Sequence, residues 1–118
     1  MGTETGGDSR CVQIALRDAP ADIGRVGVGT MAVAGSYGAV TGDDAREVLE
    51  LALSMSNCLV DTADVYGEGL VERWLGELSP KGRPAVVATK VGLVRDAASP
   101  YGVDIVGRPD YLRAAVLR

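Results

Sequence analysis

The chain contains no histidine and no phenylalanine among its 118 residues. The absence of histidine excludes Ser-His-Asp triads, His-ligated metal sites and imidazole acid–base catalysis by this chain. Its two cysteines, Cys11 and Cys58, are far apart in sequence and match no metal-ligand spacing. Cys58 lies in an apolar run and is predicted to be a reduced thiol in the core. We therefore expect no metal site.

The sequence also lacks a strong charge excess and a long apolar run. Its net charge is −4, and acidic and basic residues are interspersed, which argues against nucleic acid or an anionic membrane surface as a partner. No apolar run approaches the roughly 20 residues that a helix needs to cross a bilayer. Residues 1–10 are polar and glycine-rich, unlike a signal peptide. We expect a cytoplasmic protein with a flexible tail at 1–10 and one domain at 11–118.

Apolar periodicity predicts three strands that alternate with three amphipathic helices. The strands are expected at residues 25–30, 58–61 and 85–89, and the helices are expected to begin near residues 41, 70 and 109. Residues 80–84 contain two prolines and predict a turn. Residues 91–108 are expected to form a long loop, either a connection or a lid beside a substrate, with the connection favoured.

Each predicted helix has a local sequence signal. Thr41 resembles the first residue of a capping box, in which Asp44 replaces the usual Glu or Gln. Asn57 is expected to end this first helix. Trp74 lies on the apolar face of the second helix and is interpreted as a core residue. Pro109 suits the first position of the third helix. The first helix is expected to bury five residues, namely Ala45, Val48, Leu49, Ala52 and Leu53.

This order of elements is typical of parallel strands joined by right-handed crossovers. Both barrels and open doubly wound sheets are built in this way, and both place their chemistry at the carboxyl ends of the strands. Polar residues stand at those ends in this chain, namely Thr30, Asp61 and Lys90. These residues are therefore the first candidates for a functional site.

The segment 61–67, Asp-Thr-Ala-Asp-Val-Tyr-Gly, carries the most specific motif in the chain. Together with Gly69, Glu72 and Gly76, and with Ala-Thr-Lys at 88–90, it resembles the signature of the aldo-keto reductase family. The residues Gly-Val-Gly-Thr-Met at 27–31 resemble the end of that family's first barrel strand, and residues 108–113 resemble the start of its third helix. The resemblance extends from about residue 25 to residue 118.

The resemblance implies an NAD(P)H-dependent oxidoreductase that reduces a small aldehyde or ketone to an alcohol by hydride transfer. Tyr66 would donate the proton, and Lys90 and Asp61 would support it. A phenol with its ordinary pKa of about 10 is a weak acid at neutral pH, and a nearby ammonium lowers that value. By the same resemblance, Gly29, Thr30, Met31 and Asp61 would bind the nicotinamide end of NADPH, the cofactor that most of the family uses.

The implied fold is α/β, a TIM (β/α)₈ barrel, which typically needs about 250 residues. This chain is expected to supply its N-terminal part, about three parallel βα units, as a barrel truncated before the fourth strand. The family's catalytic histidine and most of its cofactor surface would lie beyond that point. Open strand edges would then be covered by a partner chain or a homo-oligomer. The alternative function is an inactive truncated barrel that acts as an interaction or structural protein, or is a remnant.

A more distant alternative is a Rossmann-type nucleotide-binding module. Gly27 to Ala32 fit the G-x-G-x-x-G/A fingerprint, and Asp61 closes the next predicted strand as a ribose-binding acid does. The fingerprint requires a helix that begins at the glycines, whereas the capping signal appears only at Thr41. Asp61 also lies about 30 residues downstream, rather than about 20.

Overall fold

The structure, a computed structural model, describes residues 23–55, 57–79, 86–100 and 102–118. The predicted tail at 1–10 and the predicted turn at 80–84 lie outside the described residues. The described elements, in chain order, are β1 (Gly27–Gly29), α1 (Gly42–Ser54), β2 (Leu59–Asp61), α2 (Leu70–Leu78), β3 (Val86–Ala88), β4 (Leu93–Arg95), β5 (Val103–Ile105) and α3 (Pro109–Val116).

The first three strands form one parallel sheet in the order β1-β2-β3. Its register places Gly29 opposite Asp61, and Asp61 opposite Ala88. Because α1 and α2 connect these parallel strands, the sheet and its helices confirm the predicted α/β fold with three βα units. The register also brings the carboxyl ends of all three strands to the same edge of the sheet.

Helix α1 begins as its capping signal predicts. The Thr41 side chain accepts a hydrogen bond from the backbone N–H of Asp44 at 3.1 Å, and its hydroxyl donates to the Asp44 carboxylate at 2.7 Å. The predicted end was wrong, because the helix stops at Ser54 and Asn57 instead adopts a left-handed conformation with φ of 62°. The burial of Val48 was also wrong, since that side chain is 44% exposed.

The core lies between the sheet and helices α1 and α2. Leu49, Val60 and Val71 are fully buried there, one from α1, one from β2 and one from α2. Cys58 is also buried in this cluster as a free thiol, as predicted. Trp74 packs against the cluster, which agrees with its interpretation as a core residue. This packing holds β2, the strand that ends at Asp61, in the centre of the sheet.

The predicted long loop at 91–108 was wrong, because β4 and β5 form an antiparallel hairpin within it. The turn between them contains an Asp96 side chain that accepts from the backbone N–H of Ala98 at 2.8 Å, and Gly102 adopts a positive φ of 68°. Short strands that flank an Asp- and Gly-containing turn are a hairpin signal, which the loop interpretation overlooked. The hairpin joins the sheet to α3, which begins at Pro109 as predicted.

Among the residues that the structure describes, no helix is both long enough and apolar enough to cross a membrane.

Candidate active site

The site is built at the carboxyl edge of the sheet, where the chain leaves β2. The Asp61 carbonyl accepts two hydrogen bonds from Thr30, one from its backbone N–H at 2.9 Å and one from its hydroxyl at 3.1 Å. Thr30 is fully buried. This double contact joins the ends of β1 and β2 and leaves the Asp61 carboxylate free to interact elsewhere.

The Lys90 ammonium lies beside that carboxylate. Its Nζ donates to Oδ1 of Asp61 at 2.8 Å and to the backbone carbonyl of Thr62 at 2.7 Å. The side chains of Lys90 and Asp61 are 51% and 49% exposed. A half-exposed pair of this kind contributes only about 0–1 kcal/mol to stability, so its effect on the fold is small. The pair is nevertheless open to a small molecule.

Tyr66 stands on the turn that leads from β2 into α2. The Lys90 Nζ lies 5.5 Å from the centroid of its ring, within the range of a cation–π contact. Three consecutive residues at the end of this turn, Glu68 among them, have positive φ values, so the chain reverses sharply before α2 begins at Leu70. The structure thus brings together Asp61, Tyr66 and Lys90, the three residues that the sequence motif predicted as catalytic.

The residues predicted to contact a cofactor lie at the neighbouring end of β1. An added side chain at Gly29 would meet no atom within 4 Å, so the space beside this glycine is open. Met31 is 40% exposed, and its sulfur accepts a hydrogen bond from the Tyr37 hydroxyl at 3.6 Å. The buried Thr30 hydroxyl is already occupied by the Asp61 carbonyl. Gly29 and Met31 thus leave the end of β1 accessible from solvent.

Two further residues belong to the site. Thr62 supplies the carbonyl that holds Lys90, a backbone role that no side-chain motif signals. Asp64, interpreted from the sequence as a solvated loop residue, is instead half-buried, and one of its carboxylate oxygens has neither solvent contact nor a hydrogen-bond partner in the described part of the chain. Its backbone N–H donates to the Lys90 carbonyl at 3.0 Å, which binds the turn after β2 to the end of β3.

A large groove of the described region lies next to these residues and not over them. It has a volume of about 750 Å³ and runs between the start of α2, the β4-β5 hairpin and α3. Thr89 and Glu72 line it, whereas Asp61, Tyr66 and Lys90 do not. The charged and hydroxyl groups Asp61, Lys90 and Tyr66 converge instead at the carboxyl edge of the sheet.

The comparisons with known proteins agree with this fold. The sequence model of the Aldo/keto reductase family matches residues 25–116. The chain therefore belongs to the aldo/keto reductase family. The search of the curated proteins returned no match.

Among solved structures, the chain resembles the aldo-keto reductase AKR11C1 from Bacillus halodurans in its holo form, with a TM-score of 0.66 and 24% sequence identity. The match covers 92% of this chain and 35% of that protein. The chain thus corresponds to about a third of the length of this relative. The likeness supports the barrel-type fold: the three βα units match part of an aldo-keto reductase barrel.

The dinucleotide fingerprint considered for Gly27 to Ala32 is not met by the structure. Residues 31–38 form turns, and α1 begins only at Gly42, so no helix N-terminus stands at the glycines. The Rossmann-type alternative therefore lacks its phosphate-binding element.

Proposed function

We propose that this chain carries the proton-donating part of an NAD(P)H-dependent reductase that converts an aldehyde or ketone to an alcohol. The observation that carries the proposal is the position of Lys90, whose ammonium contacts Asp61 at 2.8 Å and faces the Tyr66 ring at 5.5 Å. An ion pair that only stabilises the fold has no need of a neighbouring phenol. A carbonyl-reducing site needs one, because the carbonyl oxygen must receive a proton.

In this mechanism the Tyr66 hydroxyl transfers its proton to the carbonyl oxygen of the substrate, and the product is an alcohol. The positive charge of Lys90 stabilises the phenolate that Tyr66 becomes. Asp61 and the Thr62 carbonyl hold the ammonium in place, and Tyr66 recovers its proton from solvent after the reaction. NAD(P)H supplies the hydride when it is bound. The open space beside Gly29 and the exposed Met31 would hold its nicotinamide end, next to Thr30 and Asp61.

The test is the reduction of a reactive small aldehyde by the 118-residue chain, followed through the loss of NADPH absorbance. We expect slow turnover that Tyr66→Phe reduces by about 10²-fold or more, since general acid catalysis typically contributes about 10²–10⁴-fold. Tyr111→Phe is the matched control, because Tyr111 lies on α3 outside the site. Equal rates for the two variants would contradict the proposal, provided that circular dichroism shows both folded.

We expect the rate to rise with NADPH concentration without saturation at micromolar levels. By family resemblance, most of the surface for the cofactor's phosphates and adenosine lies in later parts of the barrel, and holding both reactants in place can contribute about 7–11 kcal/mol to lowering the barrier. Titration of the chain into NADPH, read by cofactor fluorescence, checks this. Saturable binding of NADPH at micromolar concentration would contradict this expectation. It would indicate that the chain alone holds the whole cofactor.

A second candidate function, an interaction protein, is favoured by the uncovered sheet. Strands β1 and β3 each have one neighbour within the described residues. Val26, which precedes β1, is 63% exposed, and Val87 in β3 is 43% exposed. Unpaired edges with apolar side chains favour association with another strand. We propose that a second copy or a partner chain covers them, which is compatible with catalysis and does not require it.

A further inference from the structure

Strand β3 is short and has a paired strand on one side alone within the described residues. It is three residues long and pairs with β2. Successive side chains of a strand point to opposite faces, so a slip of one residue would move Lys90 to the face away from Asp61. Backbone hydrogen bonds to the segment after β2 oppose such a slip, and a side-chain contact outside the ladder would oppose it further.

The residue before Lys90 makes such a contact. The Thr89 hydroxyl donates a 2.6 Å hydrogen bond to Oε1 of Glu72, which lies in the first turn of α2. Thr89 and Glu72 together line the large groove and a smaller cavity of about 200 Å³ against α2, and Lys90 lines neither. Thr89 thus faces α2, while Lys90 faces Asp61 on the other side of the chain.

Backbone hydrogen bonds flank this contact. The Ala88 carbonyl accepts from the N–H of Thr62 at 2.8 Å, and the Lys90 carbonyl accepts from the N–H of Asp64 at 3.0 Å. Both bonds join the chain to the segment after β2, and between them the Thr89 hydroxyl binds the Glu72 carboxylate of helix α2. Its acceptor is a carboxylate, and charge-assisted hydrogen bonds are shorter and stronger than neutral ones.

We propose that Glu72 is a positioning residue for Lys90: by binding Thr89 to α2, it fixes the chain after β3 so that the Lys90 ammonium reaches Asp61. This inference rests on the proposed function only for the role of Lys90. The contact between Glu72 and Thr89 acts on the position of the lysine whether or not the chain reduces carbonyls.

The experiment measures how fast acetic anhydride acetylates Lys90 in the full chain, by mass spectrometry. The sequence has one other lysine, Lys81, which serves as the internal reference. Glu72→Ala should raise the relative rate at Lys90 by about two- to tenfold, the usual effect of one lost hydrogen bond on an equilibrium. Thr89→Val should give the same increase, and the double variant should give no further increase.

Two controls separate positioning from general loosening. Glu72→Gln keeps an acceptor oxygen and should remain within about twofold of the unsubstituted chain. Glu77→Ala removes the same charge from the same helix but breaks a contact with Arg46, and it should leave Lys90 unchanged. An increase for Glu77→Ala as large as that for Glu72→Ala would overturn the proposal.

An unchanged rate in a folded Glu72→Ala chain would also overturn it. If Glu72→Ala does not fold by circular dichroism, Thr89→Val decides the question alone. Failure of the proposed function has a different signature, namely that Tyr66→Phe leaves carbonyl reduction unaffected while Lys90 still responds to Glu72.

Discussion

The ammonium nitrogen of Lys90 lies 2.8 Å from Oδ1 of Asp61, although the two residues are 29 positions apart in the chain. Two features of the fold create this proximity. Asp61 is the last residue of β2, and Lys90 follows β3. These neighbouring parallel strands lie about 4.8 Å apart and end at the same edge of the sheet. The pair is half-exposed, so its energetic contribution to the fold is small, and the role that we propose for it is chemical.

Replacing Asp61 with Asn should affect activity far more than stability. The substitution removes the charge that holds Lys90, so we expect the rate of aldehyde reduction to fall at least tenfold, while the free energy of unfolding changes by about 0–1 kcal/mol. Urea denaturation and the NADPH absorbance assay measure the two effects. Glu77→Gln, which breaks a similarly exposed pair with Arg46, is the control and should change neither quantity appreciably. A loss of stability that accounts for the lost activity would contradict the prediction.

Substitution of alanine for two glycines in β1 should change the free energy of unfolding by very different amounts. A Cβ at Gly27 would lie 2.8 Å from the Leu59 carbonyl oxygen, so Gly27→Ala must separate β1 from β2 and should cost about 1–3 kcal/mol of unfolding free energy. A Cβ at Gly29 meets nothing within 4 Å, and Gly29→Ala should change stability by less than about 0.5 kcal/mol. If a cofactor ring uses that space, Gly29→Ala should still lower the reduction rate. Equal stability losses in denaturant titrations would show that the β1-β2 register is wrong.

Two leucines on α1 provide a matched test of the core. Leu49 is fully buried, and Leu51 is 65% exposed two residues later. Leu49→Ala should lower the unfolding free energy by about 2–5 kcal/mol, because it leaves a cavity against β2 and α2. Leu51→Ala should change it by less than about 0.5 kcal/mol. Thermal unfolding followed by circular dichroism measures both, and a stable Leu49→Ala variant would mean that α1 does not pack as described.

The exposed sheet edges predict self-association. Sedimentation velocity at low micromolar concentration should detect a dimer or larger species. Val87→Lys should shift the association equilibrium toward the monomer, because a charge on an edge strand opposes strand pairing. Val48→Lys, at a helix position of similar exposure, should leave the assembly unchanged. A compact monomer that unfolds cooperatively would show that the uncovered edges require no partner.

Local sequence signals predicted the elements best where the interactions are themselves local. Thr41 capped α1 and Pro109 opened α3, since each signal acts within one helical turn. The end of α1 was misplaced, because Asn57 favours a left-handed conformation and that conformation occurs after the helix has ended. The hairpin was missed because β4 and β5 have three residues each, too few to establish a clear alternation.

Whether a side chain is buried depended on the elements that pack against it in the fold. Val48 has the same helical spacing as its buried companions, yet its side chain is 44% exposed. Asp64 reads as an ordinary polar loop residue, yet the turn before Tyr66 buries one of its carboxylate oxygens. Neither the exposure of Val48 nor the burial of Asp64 can be predicted from hydrophobic periodicity. Periodicity describes the side chains of one segment but not the elements that pack against them.

The sequence by itself indicated the family, the first three strands with their two connecting helices, and Asp61, Tyr66 and Lys90 as candidate site residues, because these depend on residue types at fixed spacings. Only the tertiary structure decided that the Lys90 ammonium donates to both the Asp61 carboxylate and the Thr62 carbonyl. It also decided that Thr89, on the opposite side of the chain after β3, binds Glu72. The physical reason is that these contacts join segments 17 to 29 residues apart. Their geometry is set by the register of β2 and β3 and by the packing of α2, neither of which is encoded in a local motif.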